Sequence, residues 1–287
     1  MTADPALARS YLYVPGDRRD WMAKAAGRGA DAVILDLEDG VAPAKKDEAR
    51  VAVAEFLAQA PTGPQWWVRI NGAHPAEEIA AVVQPGLTGL VVPGADLDRL
   101  ERVHQAVHDA EQTTGIETGS IRLIAMLETA GAVLRAEQVA RAPRILRLGL
   151  GEADLAGELR LQPGWDRQEL WPLRSSVVLA SAAAGIAAPV GPVETTLGDP
   201  DLLEATSRIQ LRQGFRARTA IHPEQLATIH AVFTPSAEEL AAAREVVSRW
   251  EQAARIGAGV VLGPRGQMLD AAVVRAAREV VARATEP

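Results

Sequence analysis

Short apolar runs alternate with amphipathic stretches along most of this 287-residue chain, and that alternation limits what it can fold into. The runs are Tyr11–Val14, Ala32–Leu37, Trp66–Ile70, Gly89–Val92, Leu123–Leu127, Ile145–Leu150, Ala188–Val190 and Thr219–Ile221. Helical stretches such as Pro43–Leu57, Leu97–Ala110 and Arg174–Ala184 lie between them. Parallel strands need crossovers of this kind, and apolar runs bracketed by helices predict a sheet buried on both faces. Eight such runs predict an α/β fold, a (β/α)8 barrel of about 250 residues. An open doubly wound sheet is the alternative. No Gly-x-Gly-x-x-Gly follows the first run, which argues against a dinucleotide-binding version of it.

After His222-Pro223 the texture changes. Ser236 followed by Glu239 reads as a capping box opening a helix that runs to about Ile256. Gly257 to Gly266 reads as a glycine-rich hinge, and Asp270–Ala284 as a last helix. The expected organisation is a barrel over residues 1–233 and a C-terminal helical extension, a lid, over 234–287.

A formal charge of −7 argues against a nucleic-acid partner, because neutralising phosphate takes a basic surface. The absence of cysteine removes disulfides, thiolate metal sites and a cysteine nucleophile. Met1 to Arg9 lack the basic and apolar regions of an export signal. Ser175 to Val193 is uncharged and about the length of a membrane span, but Gly185 and Pro189 interrupt it, so it reads as a buried helix running into a strand. A cytoplasmic protein with no membrane partner is expected.

Polar residues gather where the apolar runs end: Asp36-Leu-Glu-Asp39, Arg69-Ile-Asn71, Glu128-Thr129, Gly151-Glu-Ala-Asp154 and His222-Pro223. In a closed α/β barrel these ends converge on one rim, where the chemistry sits. Glu128 and Asp154, on successive runs, either cap the helices that follow or hold a hard cation such as Mg²⁺. Acids packed together repel, and a divalent ion with Arg69 would resolve the conflict. Arg69 is a planar fork suited to a carboxylate or a developing oxyanion, or to a structural pair with Asp36 or Glu38. Arg18 and Arg19, after the Gly16 turn, are candidates for phosphate, whereas Lys24 reads as solvated. His222 either orients substrate or anchors its loop. Trp66, Trp67, Trp165 and Trp171 read as core or interface packing.

The ordered set Leu12-Tyr-Val-Pro-Gly-Asp17, Gly29 to Asp39, Val68-Arg-Ile-Asn71, Leu127-Glu-Thr129, Gly151 to Ala156, Gly214-Phe215 and Ala220-Ile-His-Pro223 resembles the HpcH/HpaI aldolase family. The nearest likeness is to its citrate lyase β-subunit-like (CitE-like) branch, with malyl-CoA and citramalyl-CoA lyases. The resemblance implies a TIM barrel, usually trimeric, with Mg²⁺ on Glu128 and Asp154 and with Arg69 contacting the oxo-acid; His222 stays a candidate for substrate from its place at the strand end. Arg18 and Arg19 then fall to coenzyme A, and Glu38 to orienting Arg69 or a metal-bound water. Gly266-Gln-Met-Leu-Asp270 resembles a segment that covers a neighbouring subunit's site and supplies a catalytic Asp, here Asp270. The implied activity is Mg²⁺-dependent carbon–carbon cleavage of a 3-hydroxyacyl-CoA to acetyl-CoA and an oxo-acid. Thioester hydrolysis, CoA-independent aldol chemistry and a citrate lyase β-type subunit role are the alternatives. One departure stands out: relatives often end the fourth strand in Pro-Lys, where this chain has Pro93-Gly94.

Overall fold

The computed structural model describes residues 4–72, 75–255, 261–263, 266 and 268–284. Two compact units make up the chain, Asp4–His230 and the segment from Ala231 onward. In the first, eight parallel strands pair in chain order and close on themselves: β1 (Ser10–Pro15), β2 (Ala32–Asp36), β3 (Gln65–Arg69), β4 (Leu87–Val92), β5 (Arg122–Leu127), β6 (Ile145–Leu150), β7 (Val190–Gly191) and β8 (Ala217–Ala220). Helices cross over between them, so this is the expected TIM barrel.

Alternation along each strand decides what points inward. Tyr11, Ile34, Trp67, Val91, Ile124 and Ala217 belong to one buried cluster. The residues two further on, Tyr13, Asp36, Arg69 and Met126, therefore share its face, one step closer to the C-terminal end. An apolar interior thus gives way to a charged mouth within one strand repeat.

The opposite end is sealed by an arginine. Arg147 of β6 is 1% exposed and donates to the carbonyls of Ala188 at 2.7 Å, Ala8 at 3.2 Å and Ala6. Its charge is tolerated because peptide dipoles solvate it in place of water. The chain before β1 is tied beneath the barrel by the same bonds.

Two strands differ from expectation. β7 is Val190–Gly191, not Ala188–Val190, because Pro189 and Pro192 bracket it and cannot donate to the ladder. β8 begins at Ala217, two residues before the apolar run suggests, because Arg218 interrupts the pattern while itself fully buried. Its guanidinium donates to Ser207 Oγ at 2.7 Å and Thr206 Oγ1 at 2.8 Å. The uncharged stretch from Ser175 lies in the helix Trp171–Ala184 and runs into β7, and no described helix is long and apolar enough to cross a membrane. Trp66 and Trp67 are core, but Trp165 is 65% exposed and Trp171 36%, so neither is core packing.

In the second unit the helix Ala237–Arg255 opens with the reciprocal box: Glu239 N donates to Ser236 Oγ at 3.1 Å, and Ser236 N to Glu239 Oε2 at 2.8 Å. It packs against the helix Ala271–Ala284 through Ala243, Val246, Val274 and Ala277. Part of the expected glycine-rich hinge (257–260, 264–265), together with Ile256 and Gln267, lies outside the described residues. Val261–Leu262, from the hinge, and Met268–Leu269, beyond it, pair as antiparallel strands β9 and β10.

Trp67 is the largest inward filler of the barrel, edge-on to Tyr11 at 6.0 Å, and a Cβ on Gly89 of β4 would stand 2.5 Å from its ring. Nothing beside it can expand into its volume. Trp67→Ala is expected to cost about 3–5 kcal/mol of unfolding free energy, read by urea denaturation.

Candidate active site

Asp36 and Arg69 are the last residues of β2 and β3 and are paired in register. Their side chains meet as two forks: Nε donates to Oδ1 and Nη2 to Oδ2, both at 2.7 Å. Asp36 also accepts the backbone N–H of Glu38 at 2.9 Å and of Gly40 at 2.8 Å, so the turn after β2 wraps its carboxylate. A Cβ on Gly40 would sit 2.5 Å from Asp36 Oδ2, which is why that turn needs glycine. Arg69 Nη1 reaches Glu38 Oε2 at 2.7 Å and lies 3.8 Å from Asp39. The Tyr13 ring is 4.9 Å from the guanidinium. Burial works against the Arg69 charge, yet Asp36, Tyr13 and Glu38 outweigh it and hold its pKa above the ordinary value.

Glu128 follows β5 and Asp154 lies in the first turn of the helix Glu152–Leu159. They converge on Gly151: a Cβ there would overlap Glu128 Cγ and stand 3.1 Å from Asp154 Oδ2. The missing side chain leaves a space flanked by two carboxylates. Glu128 Oε2 accepts the Gly94 N–H at 2.6 Å. Burial pushes the Glu128 pKa up to about 7, and Asp154 adds to the rise against that hydrogen bond. Among the described residues no third carboxylate or histidine completes an all-protein cage. Two oxygen donors beside open space suit Mg²⁺, which keeps positions for water and substrate, better than an ion needing a full protein shell.

A cavity of about 790 Å³ opens here, lined among others by Tyr13, Asp36, Arg69, Glu128, Asp154 and Arg167. Glu38 lines it too. The arginines expected to hold phosphate do not line it. Arg19 pairs with Glu55 at 2.6 Å, and Arg18 lies over the Trp21 ring at 3.9 Å, with Trp21 on the cavity wall. His222 is half-exposed and not on the wall; its Nδ1 accepts the Glu224 N–H at 3.3 Å, the loop-anchoring alternative. Asp270 belongs to the C-terminal unit, where its Oδ1 accepts the N–H groups of Ala272 and Val273, both at 2.8 Å. It caps the last helix, which begins at Ala271 rather than at Asp270.

Several wall residues escape the reading of strand ends. Tyr13 faces inward because it is two residues beyond Tyr11, a periodicity the apolar run already carried. Trp21 and Arg167 lie on a helix and in a loop, where no strand-end rule points to them. The space expected for a lysine after Pro93 is approached from another direction. Arg99, in the helix Leu97–Thr114, donates to Pro93 O at 2.6 Å, and its Nη1 would lie 3.2 Å from a Cβ on Gly94.

One guanidinium serves three acids on this wall, and the strain falls on Glu38. Burial pushes its pKa up to about 7; Arg69 opposes the rise, and Asp39, Glu128 and Asp36 reinforce it. The folded-state value lies above the ordinary 4.5, so ionising Glu38 disfavours the fold. In metal-free protein, stability is expected to fall as pH rises from 4.5 through about 7. Glu38→Gln should shrink that slope, measured by urea unfolding across the range.

Residues 9–223 match the HpcH/HpaI aldolase/citrate lyase family. The chain is 31% identical to the citrate lyase subunit beta of Leuconostoc mesenteroides subsp. cremoris, over 96% of this chain and 92% of that protein. It is 32% identical to the (3S)-malyl-CoA thioesterase of Cereibacter sphaeroides (strain KD131), over 96% and 94%. The structure resembles that of CitE from Mycobacterium tuberculosis in complex with magnesium, acetoacetate and coenzyme A, with a TM-score of 0.76, 30% identity and full coverage of both chains. A barrel whose carboxylates converge at its C-terminal mouth, matched along three quarters of the sequence, places this chain in the HpcH/HpaI aldolase/citrate lyase family.

Proposed function

We propose that the protein is a Mg²⁺-dependent carbon–carbon lyase acting on a 3-hydroxyacyl-CoA such as citramalyl-CoA or malyl-CoA, releasing acetyl-CoA and an oxo-acid such as pyruvate or glyoxylate. The observation that carries this reading is the paired carboxylate space between Glu128 and Asp154, on the same cavity as the clamped Arg69. When bound there, Mg²⁺ supplies Lewis-acid polarisation of the oxygen that becomes the keto group.

The chain's own residues do the rest. Asp36 occupies Arg69 Nε and one edge of Nη2, and Glu38 occupies Nη1. The remaining N–H groups are left for the oxo-acid carboxylate and for negative charge developing on the reacting oxygen. Because Asp36 and Glu38 fix the fork before substrate arrives, little reorganisation is needed at the moment of reaction. As the bond between the carbinol carbon and the thioester α-carbon breaks, the hydroxyl proton passes to solvent water, its oxygen becomes the keto oxygen, and the bonding pair leaves on the α-carbon as a thioester enolate. A proton must then reach the α-carbon, and Asp270 of a neighbouring copy in a homotrimer is the donor in this proposal. The phosphates of coenzyme A are assigned to Arg18, which lies over the ring of the wall residue Trp21, and to Arg19 beside it.

Thioester hydrolysis is the second reading, favoured by the likeness to a malyl-CoA thioesterase. Incubating citramalyl-CoA and malyl-CoA with the protein and Mg²⁺ separates the two, since cleavage yields acetyl-CoA and hydrolysis yields free CoA. A citrate lyase β-type subunit would turn over neither thioester without its partner subunits. Glu128→Ala is expected to abolish both turnover and its response to Mg²⁺. Asp270→Ala should retain oxo-acid binding by calorimetry while turnover falls about 100-fold or more, the usual weight of a positioned acid.

A further inference from the structure

Among the described residues the Glu128 carboxylate receives one hydrogen bond, from the Gly94 N–H onto Oε2 at 2.6 Å. That N–H reaches the acid because of how the turn after β4 is folded. Gly94 has φ 51°, in the left-handed region that favours glycine. Pro93 before it has no N–H, so its carbonyl is the one polar backbone group by which that residue can be gripped.

Arg99 grips it. Its Nη1 donates to Pro93 O at 2.6 Å, a charge-assisted bond. An arginine is unexpected at this place. It lies in the first turn of the helix Leu97–Thr114, three residues after the N-cap Asp96, whose Oδ1 accepts the Arg99 N–H at 2.7 Å. A capping box puts Glu or Gln at that third position, and a cation in the first turn opposes the helix dipole. Among the described residues its guanidinium pairs with no carboxylate; it is spent on the carbonyl. It also lies where two loops carry no side chain. A Cβ on Gly72, three residues after Arg69, would stand 2.8 Å from Nη1, and one on Gly94 would stand 3.2 Å from it.

Charge and geometry pull in opposite directions here. The same Cβ on Gly94 would lie 3.5 Å from Glu128 Oε2, so the cation and the acid flank one missing methyl. A positive charge that close repels a divalent ion on Glu128. The bond to Pro93 O, by contrast, steadies the N–H that steadies the carboxylate. Groups that hydrogen-bond a metal ligand from behind set its direction, and losing one costs about 10- to 100-fold in metal affinity.

We propose that Arg99 is a positioning residue for the divalent-ion site: through Pro93 O and the Gly94 N–H it aims Glu128 at the gap shared with Asp154. This rests on the Mg²⁺ reading above and extends the site behind the cavity wall, which neither Arg99 nor Gly94 lines. The sign of one effect separates the two roles. Acting as a charge alone, Arg99 weakens Mg²⁺ binding, and its removal tightens it. Acting through the turn, its removal loosens the ion.

The test is calorimetric titration of Mg²⁺ alone into the metal-free protein, with no substrate and no turnover. The parent should bind one ion per chain and Glu128→Ala should not. Arg99→Met should keep one site per chain and weaken it about 10-fold. Arg99→Lys, which returns a charged donor to the same carbonyl, should recover most of that loss. Unchanged or tighter binding in Arg99→Met overturns the assignment to Arg99 and leaves the metal reading standing. Fewer sites at unchanged affinity shows a role in folding only, and overturns the assignment as well. A parent protein that binds no Mg²⁺, or binds it equally well as Glu128→Ala, overturns the metal reading itself and this inference with it.

Discussion

The two-pronged contact between Asp36 and Arg69 sets the chemistry of the barrel mouth. It joins the ends of β2 and β3, and the turn from Leu37 to Gly40 folds around the same carboxylate. A guanidinium gripped this way cannot swing to neutralise acids elsewhere in the cavity. Glu38 and Asp39 crowd its remaining edge, and Glu128 with Asp154 are left to face each other across the gap at Gly151. The excess of negative charge at that gap is the physical reason for proposing a divalent cation there.

The fold was legible because most of the strands are short apolar runs separated by amphipathic helices. Reading failed where a charged residue is buried or a proline cuts a strand short. Arg218 hides the start of β8 from any apolar-run criterion, because a charge inside a strand is buried only through hydrogen bonds to Thr206 and Ser207 of the preceding helix, which the run itself does not announce. Pro189 and Pro192 compress β7 to two residues. Arg147 sits mid-strand in β6, and nothing in the sequence says that the Ala6, Ala8 and Ala188 carbonyls will receive it.

The site divides along the same line. Asp36, Arg69, Glu128 and Asp154 are visible from sequence because a parallel barrel brings the C-terminal ends of its strands together. A pair of Arg69 with Asp36 or Glu38 was among the readings that the residues allowed, and both contacts are formed. Tyr13 was available from period-two alternation alone. Arg167 was not, since its position depends on a left-handed loop residue and on two glutamates that reach it from β6 and β7. At His222 the sequence left two readings open, and the contacts present are those of its own loop, where Gln225 Oε1 accepts the N–H groups of Ile221 and His222.

The central claim is that one cation is held between Glu128 and Asp154 so that an oxo-acid reaches both it and Arg69. A crystal structure of the protein with Mg²⁺ and pyruvate tests it most directly. The ion is expected to be ligated by both carboxylates, with the pyruvate carboxylate within hydrogen-bond distance of Arg69. An ion bound away from those two side chains, or pyruvate seated with no contact to Arg69, would contradict it.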